Sequence, residues 1–319
     1  MNVKKTGGTV LAVLIVGALI AGAIRGTRLS FTPDQARTMK TLLIVCACSM
    51  AYCFAAGELT RNYSQMDKLW SILPVAYSWI AAAGSGMKTR TVVYALLVTV
   101  WGIRLTVNFA RKGAYRLKFW TGNEDYRWSI VHQYPVFRNR LAWTLFDLLF
   151  ISVYQNALVL AICLPSVAVM GSTAPFSAWD VLAVILALAF LLLETVSDEY
   201  QWRFHQTKKS LLAEKGSLEA LPEPYRLGFN TSGPWARMRH PNYLGEQGFW
   251  ISLYAFVIGA GTVENGLLHW SVVGPLLLIL LFMGSSALGE SITSGKYPGY
   301  EEYREQVFKY LPVRRFRSR

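Results

Sequence analysis

The chain has 319 residues, of which 53% are hydrophobic and 16% charged, a balance that excludes an ordinary soluble enzyme and points to a membrane protein. Its formal net charge of +13 would suggest nucleic acid in a soluble protein. Here the basic residues collect in a few loops, as the positive-inside bias requires, and no aromatic-plus-basic binding module accompanies them, so no nucleic-acid partner is expected.

In chain order, eight apolar stretches approach or reach the length needed to cross the hydrocarbon: 9–24, 41–57, 69–84, 92–109, 142–164, 179–196, 244–261 and 268–288. The expected fold class is therefore all-α, a polytopic transmembrane bundle of about seven or eight spans. It has no Rossmann domain, because no GxGxxG follows a strand and no GxxxxGK loop occurs. Residues 1–40 read as an extra N-terminal helix and loop, and 41–319 as the main membrane domain. Lys4 and Lys5 imitate a signal peptide, but no soluble domain follows, so the first helix is read as uncleaved.

Positive charge gathers in 111–140, 203–239 and 296–319, whereas 165–178 has no lysine or arginine and 262–267 carries only Glu264. The basic segments then face the cytoplasm, as in a bacterial inner membrane. One loop disagrees, since Arg25, Arg28, Arg37 and Lys40 fall outside. Cys46, Cys48, Cys53 and Cys163 lie in apolar stretches as small hydrophobes, and His132, His205, His240 and His269 lack metal-ligand spacing. Neither a disulfide nor a metal is expected.

Ionisable groups inside a span are costly and usually functional. In "LLLETVSDEYQWRFHQTKK", Glu194, Asp198, Gln201, His205 and Lys208 recur at helical spacing and share one face. In "WGIRLTVNFARKGAY", Arg104, Asn108, Arg111 and Tyr115 do the same. "MDKLWSILPVAYSW" sets Asp67, Trp70, Pro74 and Tyr77 on roughly one side, with Pro74 expected to kink the helix. Asp147 and Asn156 read as interhelical hydrogen bonding, and "NEDYRWSIVHQYPVFRNR" as a segment lying on the membrane surface.

The densest polar stretch is "RMRHPNYLGEQ", directly ahead of an apolar run. Pro241 suits the first turn of a helix, whose N-terminus with Arg237, Arg239 and His240 beside it makes an anion site with phosphate as guest. Positive-inside charge explains the arginines without a ligand, but not the company of His240, Asn242, Tyr243 and Glu246.

"RMRHPNYLGE", the acidic helix "ETVSDEYQ" and the ending "KYPGYEEYREQVFKYLP" together resemble the C-terminal region shared by membrane steroid 5-alpha-reductases, sterol reductases and isoprenylcysteine carboxyl methyltransferases. "DKLWSILPVAYSW" and "LVTVWGIRLTVNFARKGAYR" extend the resemblance toward a bacterial branch of the steroid-reductase-like family. The resemblance implies a bundle of about seven helices with a cofactor in its cytoplasmic half and an opening that admits an apolar substrate from the bilayer. It implies NADPH, passing a hydride to an enone, with Asp198, His240, Asn242, Tyr243 and Tyr303 matching cofactor-contacting positions and Glu194 standing where an asparagine is common. Steroid reductases carry a tyrosine three residues before an arginine, where this chain has Asn108 before Arg111; the candidate donors to the substrate oxygen are accordingly Asn108, Asp67 and Tyr77.

Two cofactors remain open. The phosphates of NADPH want cations such as Arg111, Arg203, Arg237, Arg239 and Lys296. The alternative, S-adenosylmethionine in a methyltransferase, wants carboxylates, and Glu246, Glu290, Glu301 and Glu302 are at hand. The reductase is favoured because the resemblance reaches upstream of the C-terminal region, through the third and fourth apolar stretches and the Asp198 helix.

Overall fold

The computed structural model describes residues 3–26, 30–263 and 267–316; Arg28 and Glu264 lie outside them. Twelve α-helices are described: α1 (Val3–Gly26), α2 (Pro33–Thr60), α3 (Gln65–Leu69), α4 (Leu73–Gly84), α5 (Thr89–Ala110), α6 (Tyr126–His132), α7 (Arg140–Phe146), α8 (Gln155–Ala168), α9 (Ala178–Lys215), α10 (Pro241–Gly259), α11 (Val273–Lys296) and α12 (Tyr300–Gln306). A π-helical stretch, Asp147–Tyr154, joins α7 to α8. The described residues contain no strand, and the apolar stretches of the sequence fall largely on helices.

This is a helical membrane bundle. Among the described residues, five runs are long and apolar enough to cross a bilayer: Pro33–Thr60, Thr89–Ala110, Arg140–Ala168, Ala178–Lys215 and Trp270–Lys296. Val13–Arg25 and Leu73–Gly84 are shorter apolar helices. α4, with 12 residues, covers about 18 Å, well short of the roughly 30 Å of hydrocarbon.

Two sequence expectations are corrected by local chemistry. The second helix starts at Pro33, because the Thr32 hydroxyl accepts from the Gln35 amide and the Gln35 side chain accepts from the Thr32 amide, a reciprocal cap with proline in the first turn. Arg37 and Lys40 are therefore helical rather than part of a loop. The third apolar stretch is broken, not kinked: α3 ends at Leu69, residues 70–72 turn, and Pro74 opens α4 where its missing N–H costs little.

The chain forms two compact units. One comprises Leu11–Val184 with Leu253–Leu278, the other Met1–Val10, Ile185–Ser252 and Ile279–Arg319. In the first, Asn156 is the hub between α2 and α8: it accepts from the Ser49 hydroxyl (2.6 Å), and its Nδ2 donates to the Ser152 carbonyl (2.7 Å). Gly274 packs against backbone, since a Cβ there would stand 2.1 Å from the Ala161 carbonyl oxygen. A pair that sequence reading passed over closes one end of this unit. Arg90 Nε and Nη2 donate to the two oxygens of Asp180 at 2.7 and 2.9 Å, and both residues are buried.

In the second unit the middle turns of α9 and the early turns of α10 cross at near contact. A Cβ on Gly245 would lie 2.6 Å from Glu194 Cβ, and one on Gly248 would lie 2.3 Å from the Phe190 ring. Small residues set this approach, as they do wherever helices meet closely in a membrane. Gly245→Ala is expected to cost about 1–3 kcal/mol, because the atoms a Cβ would meet include Glu194 backbone atoms that cannot swing aside; a melting temperature unchanged from the parent in detergent would refute the close approach.

Candidate functional site

α9 is 38 residues long, about 57 Å, far more than the hydrocarbon needs. Counted from Ala178, Glu194 stands about 24 Å along and His205 about 40 Å, so a hydrocarbon layer of about 30 Å starting at Ala178 would enclose Glu194 and leave His205 outside it. Glu194 is buried and His205 exposed.

The "RHPNY" element folds as the sequence suggests. α10 begins at Pro241, directly after His240, and the Leu244 amide donates to the His240 carbonyl. Asn242 Nδ2 donates to Asp198 Oδ1 at 3.1 Å, tying α10 to α9. Further along the stripe the Gln201 amide nitrogen lies 3.0 Å from His205 Nε2. Two amide oxygens are left over: Asn242 Oδ1 and Gln201 Oε1 are both enclosed and receive no hydrogen bond. An enclosed acceptor without a donor is costly, and the two stand on facing helices beside the same site.

Glu290 of α11 is the electrostatic centre of the loop. Its Oε1 accepts from Arg239 Nε (2.8 Å) and faces His240 Nε2 at 2.9 Å, while Oε2 lies 3.5 Å from Arg304 Nε. Arg239 also donates through Nη1 to the carbonyls of Arg304 and Val307. The Tyr303 hydroxyl donates to the backbone of the Trp235–Met238 segment, with Trp235 O and Met238 O both in reach. Trp235 Nε1 in turn donates to Ser197 O on α9. Tyr303, Arg239 and Glu290 therefore shape the loop from within.

Other proposed contacts stand at the edge. Tyr243 stacks on His240 with ring centroids 5.1 Å apart and meets Phe282 edge-on. Glu246 accepts from the Trp250 indole at 3.1 Å. Arg237 and Lys296 are exposed, Lys296 with its ammonium 5.4 Å from the Tyr297 ring centre. One unit thus holds Glu194, Asp198, His205, Arg237, Arg239, His240, Asn242, Tyr243, Glu246, Glu290, Lys296 and Tyr303.

The remaining candidates belong to the other unit. Buried Asn108 accepts from Arg111 Nε at 3.0 Å in the last turn of α5. Asp67 accepts from the Trp128 indole at 2.8 Å. Burial pushes the Asp67 carboxyl above its ordinary range, the negative charge of Asp125 adds to this, and Arg127 opposes it. Tyr77 is fully buried, and its hydroxyl meets no nitrogen or oxygen partner. The break at 70–72 separates the helix of Asp67 from that of Pro74 and Tyr77, so the single face read from their spacing does not form. Sequence reading missed Arg304, which repeats charge close to the end of the chain and gives no sign that it turns back to Glu290.

The His240 imidazole is held below its usual value of 6.5, mainly by burial, with Glu290 pulling the other way. The folded state therefore disfavours the imidazolium, and the unfolded chain binds more protons as pH falls through about 6.5. Stability should drop, by way of His240, as pH falls through about 6.5 and on through the lower folded-state value. His240→Gln should flatten that part of the curve of melting temperature against pH; an unchanged slope would exclude His240 as its source.

The model of the family described as "Protein of unknown function (DUF1295)" matches residues 53–307. An uncharacterized protein of Schizosaccharomyces pombe, C594.04c, is 33% identical over 266 residues, covering 79% of this chain and 73% of its own. No solved structure matches.

Proposed function

The chain belongs to the DUF1295 family, and from that footing we propose that it is a membrane-embedded reductase of the steroid 5-alpha-reductase-like kind, saturating the carbon–carbon double bond of an apolar, steroid- or lipid-like enone. NADPH, when bound, would supply the hydride. Its site is on the cytoplasmic side, and the bilayer delivers the substrate.

The observation that carries the nucleotide reading is the pair of orphaned acceptors, Asn242 Oδ1 and Gln201 Oε1. They call for hydroxyl or amide donors, which a ribose and a carboxamide possess. Exposed Arg237 and Lys296 are placed to meet phosphate charge, as is the start of α10. The two buried carboxylates among those that a sulfonium would need are already engaged: Glu246 holds the Trp250 indole and Glu290 holds Arg239, His240 and Arg304. That commitment favours a phosphate-bearing cofactor over S-adenosylmethionine. Asn108, Asp67 and Tyr77 are the residues to test for polarising the substrate oxygen, where a donor must meet growing negative charge in a dry site.

Calorimetry of the detergent-purified protein with NADPH, NADH and S-adenosylmethionine under one condition tests the reading. Saturable NADPH binding that Arg237→Ala weakens and His240→Ala abolishes, with melting temperatures retained, is the expected result. S-adenosylmethionine binding alone would overturn it.

A further inference from the structure

Beyond α12 the chain runs as an irregular strap over the "RHP" loop. The Arg239 amide donates to the Phe308 carbonyl (3.1 Å), the His240 amide to the Lys309 carbonyl (3.1 Å), and the Phe316 amide to the Ala236 carbonyl (2.8 Å). The strap has a distinct inner and outer side. Inside, Lys309 donates to the Ser286 hydroxyl and Tyr310 lies beside it, while the Phe316 ring meets Tyr303 edge-on. Outside, Phe308, Leu311 and Val313 are 43%, 60% and 70% exposed, three apolar residues within six positions rather than one scattered on the surface. Exposed Arg314 and Arg315 share that stretch, and the Arg314 guanidinium lies 5.5 Å from the centre of the Phe308 ring.

Apolar side chains interleaved with arginines match an anionic bilayer surface, where the former enter the acyl boundary and the latter meet lipid phosphates. The bilayer is also close by along the chain, because the spanning run Trp270–Lys296 ends eleven residues before Val307. We propose that the outer side of the strap, Phe308 to Arg315, docks on the anionic phospholipid leaflet and thereby holds the strap closed over Arg239 and His240. Lipid charge then regulates the loop through the two backbone hydrogen bonds of the strap. The inference is independent of which cofactor the loop serves.

The full chain, placed in nanodiscs of phosphatidylcholine alone or mixed with phosphatidylglycerol, provides the test, with hydrogen exchange read at the Arg239 and His240 amides. Exchange should be slower in the anionic discs, by on the order of fivefold for each arginine engaged. The double variant R314E/R315E should lose that protection, yet melt like the parent in neutral discs. Soluble glycerol phosphate should not substitute for the anionic discs. Equal exchange in both kinds of disc would overturn the proposal, as would protection of the double variant equal to that of the parent, or protection conferred by glycerol phosphate alone.

Discussion

Arg90→Met is expected to be the most destabilising single change in the unit that contains it, by about 3–5 kcal/mol. Removing the guanidinium strands Asp180, which is wholly buried and otherwise accepts only from the amide and hydroxyl of Ser177. Arg90 does more than neutralise that charge. It also donates to the Ser172 hydroxyl and to the carbonyls of Ala174, Pro175 and Gly259, so one side chain ties α5 to the 172–177 turn, to the start of α9 and to the end of α10. Lysine would keep the charge but lacks the planar fork that reaches both Asp180 oxygens together, so Arg90→Lys should recover less than half of the loss. The double change Arg90→Met with Asp180→Leu should melt above either single variant, because an apolar pair avoids the stranded charge. Thermal unfolding in one detergent decides it: singles that melt with the parent would falsify the clamp.

What the sequence disclosed follows from how each feature is encoded. The apolar stretches and the polar stripe of α9 are local patterns: the stripe lies on one helix as read, while among the described residues five runs rather than eight are long and apolar enough to span, and the third stretch is broken. The 3.6-residue period alone put Glu194, Asp198, Gln201 and His205 on one face. Start signals were equally local, yet the cap of Thr32 with Gln35 went unread and the second helix was begun late. The clamp of Arg90 with Asp180 was invisible for a different reason. Each lies near the end of an apolar stretch, where charge is ordinary, and ninety positions separate them. Glu290 was legible as a carboxylate near the site but not as the common partner of Arg239, His240 and Arg304. Composition supplied both charges, while only the fold could say that they cancel. The same blindness applies to the orphaned oxygens of Asn242 and Gln201, since the lack of a donor is a property of packing.

Glu290→Ala should have the largest effect on the site itself. The carboxylate is the shared partner of three cationic or cationisable groups, accepting from Arg239, facing His240 and pairing with Arg304, with a side chain only 6% exposed beside Arg239 at 12% and His240 at 11%. Taking it away leaves the guanidinium of Arg239 enclosed with carbonyl partners alone, and breaking a buried pair from one side costs about 3–5 kcal/mol. The damage should spread in a set order. Arg239 reaches the carbonyls of Arg304 and Val307, so its reorientation frees the end of α12, and the strap then loses its fixed start. Amides after Val307 should therefore exchange faster in the variant, while those of α5 and α8 keep their rates. Glu290→Gln should fall between variant and parent, because its single amide oxygen can still accept from Arg239 but carries no charge. On the proposed reading NADPH affinity falls on the order of 10- to 100-fold in Glu290→Ala, the worth of one or two charge-assisted hydrogen bonds. Undiminished affinity together with a loosened strap would place the cofactor elsewhere and leave Glu290 a purely structural anchor.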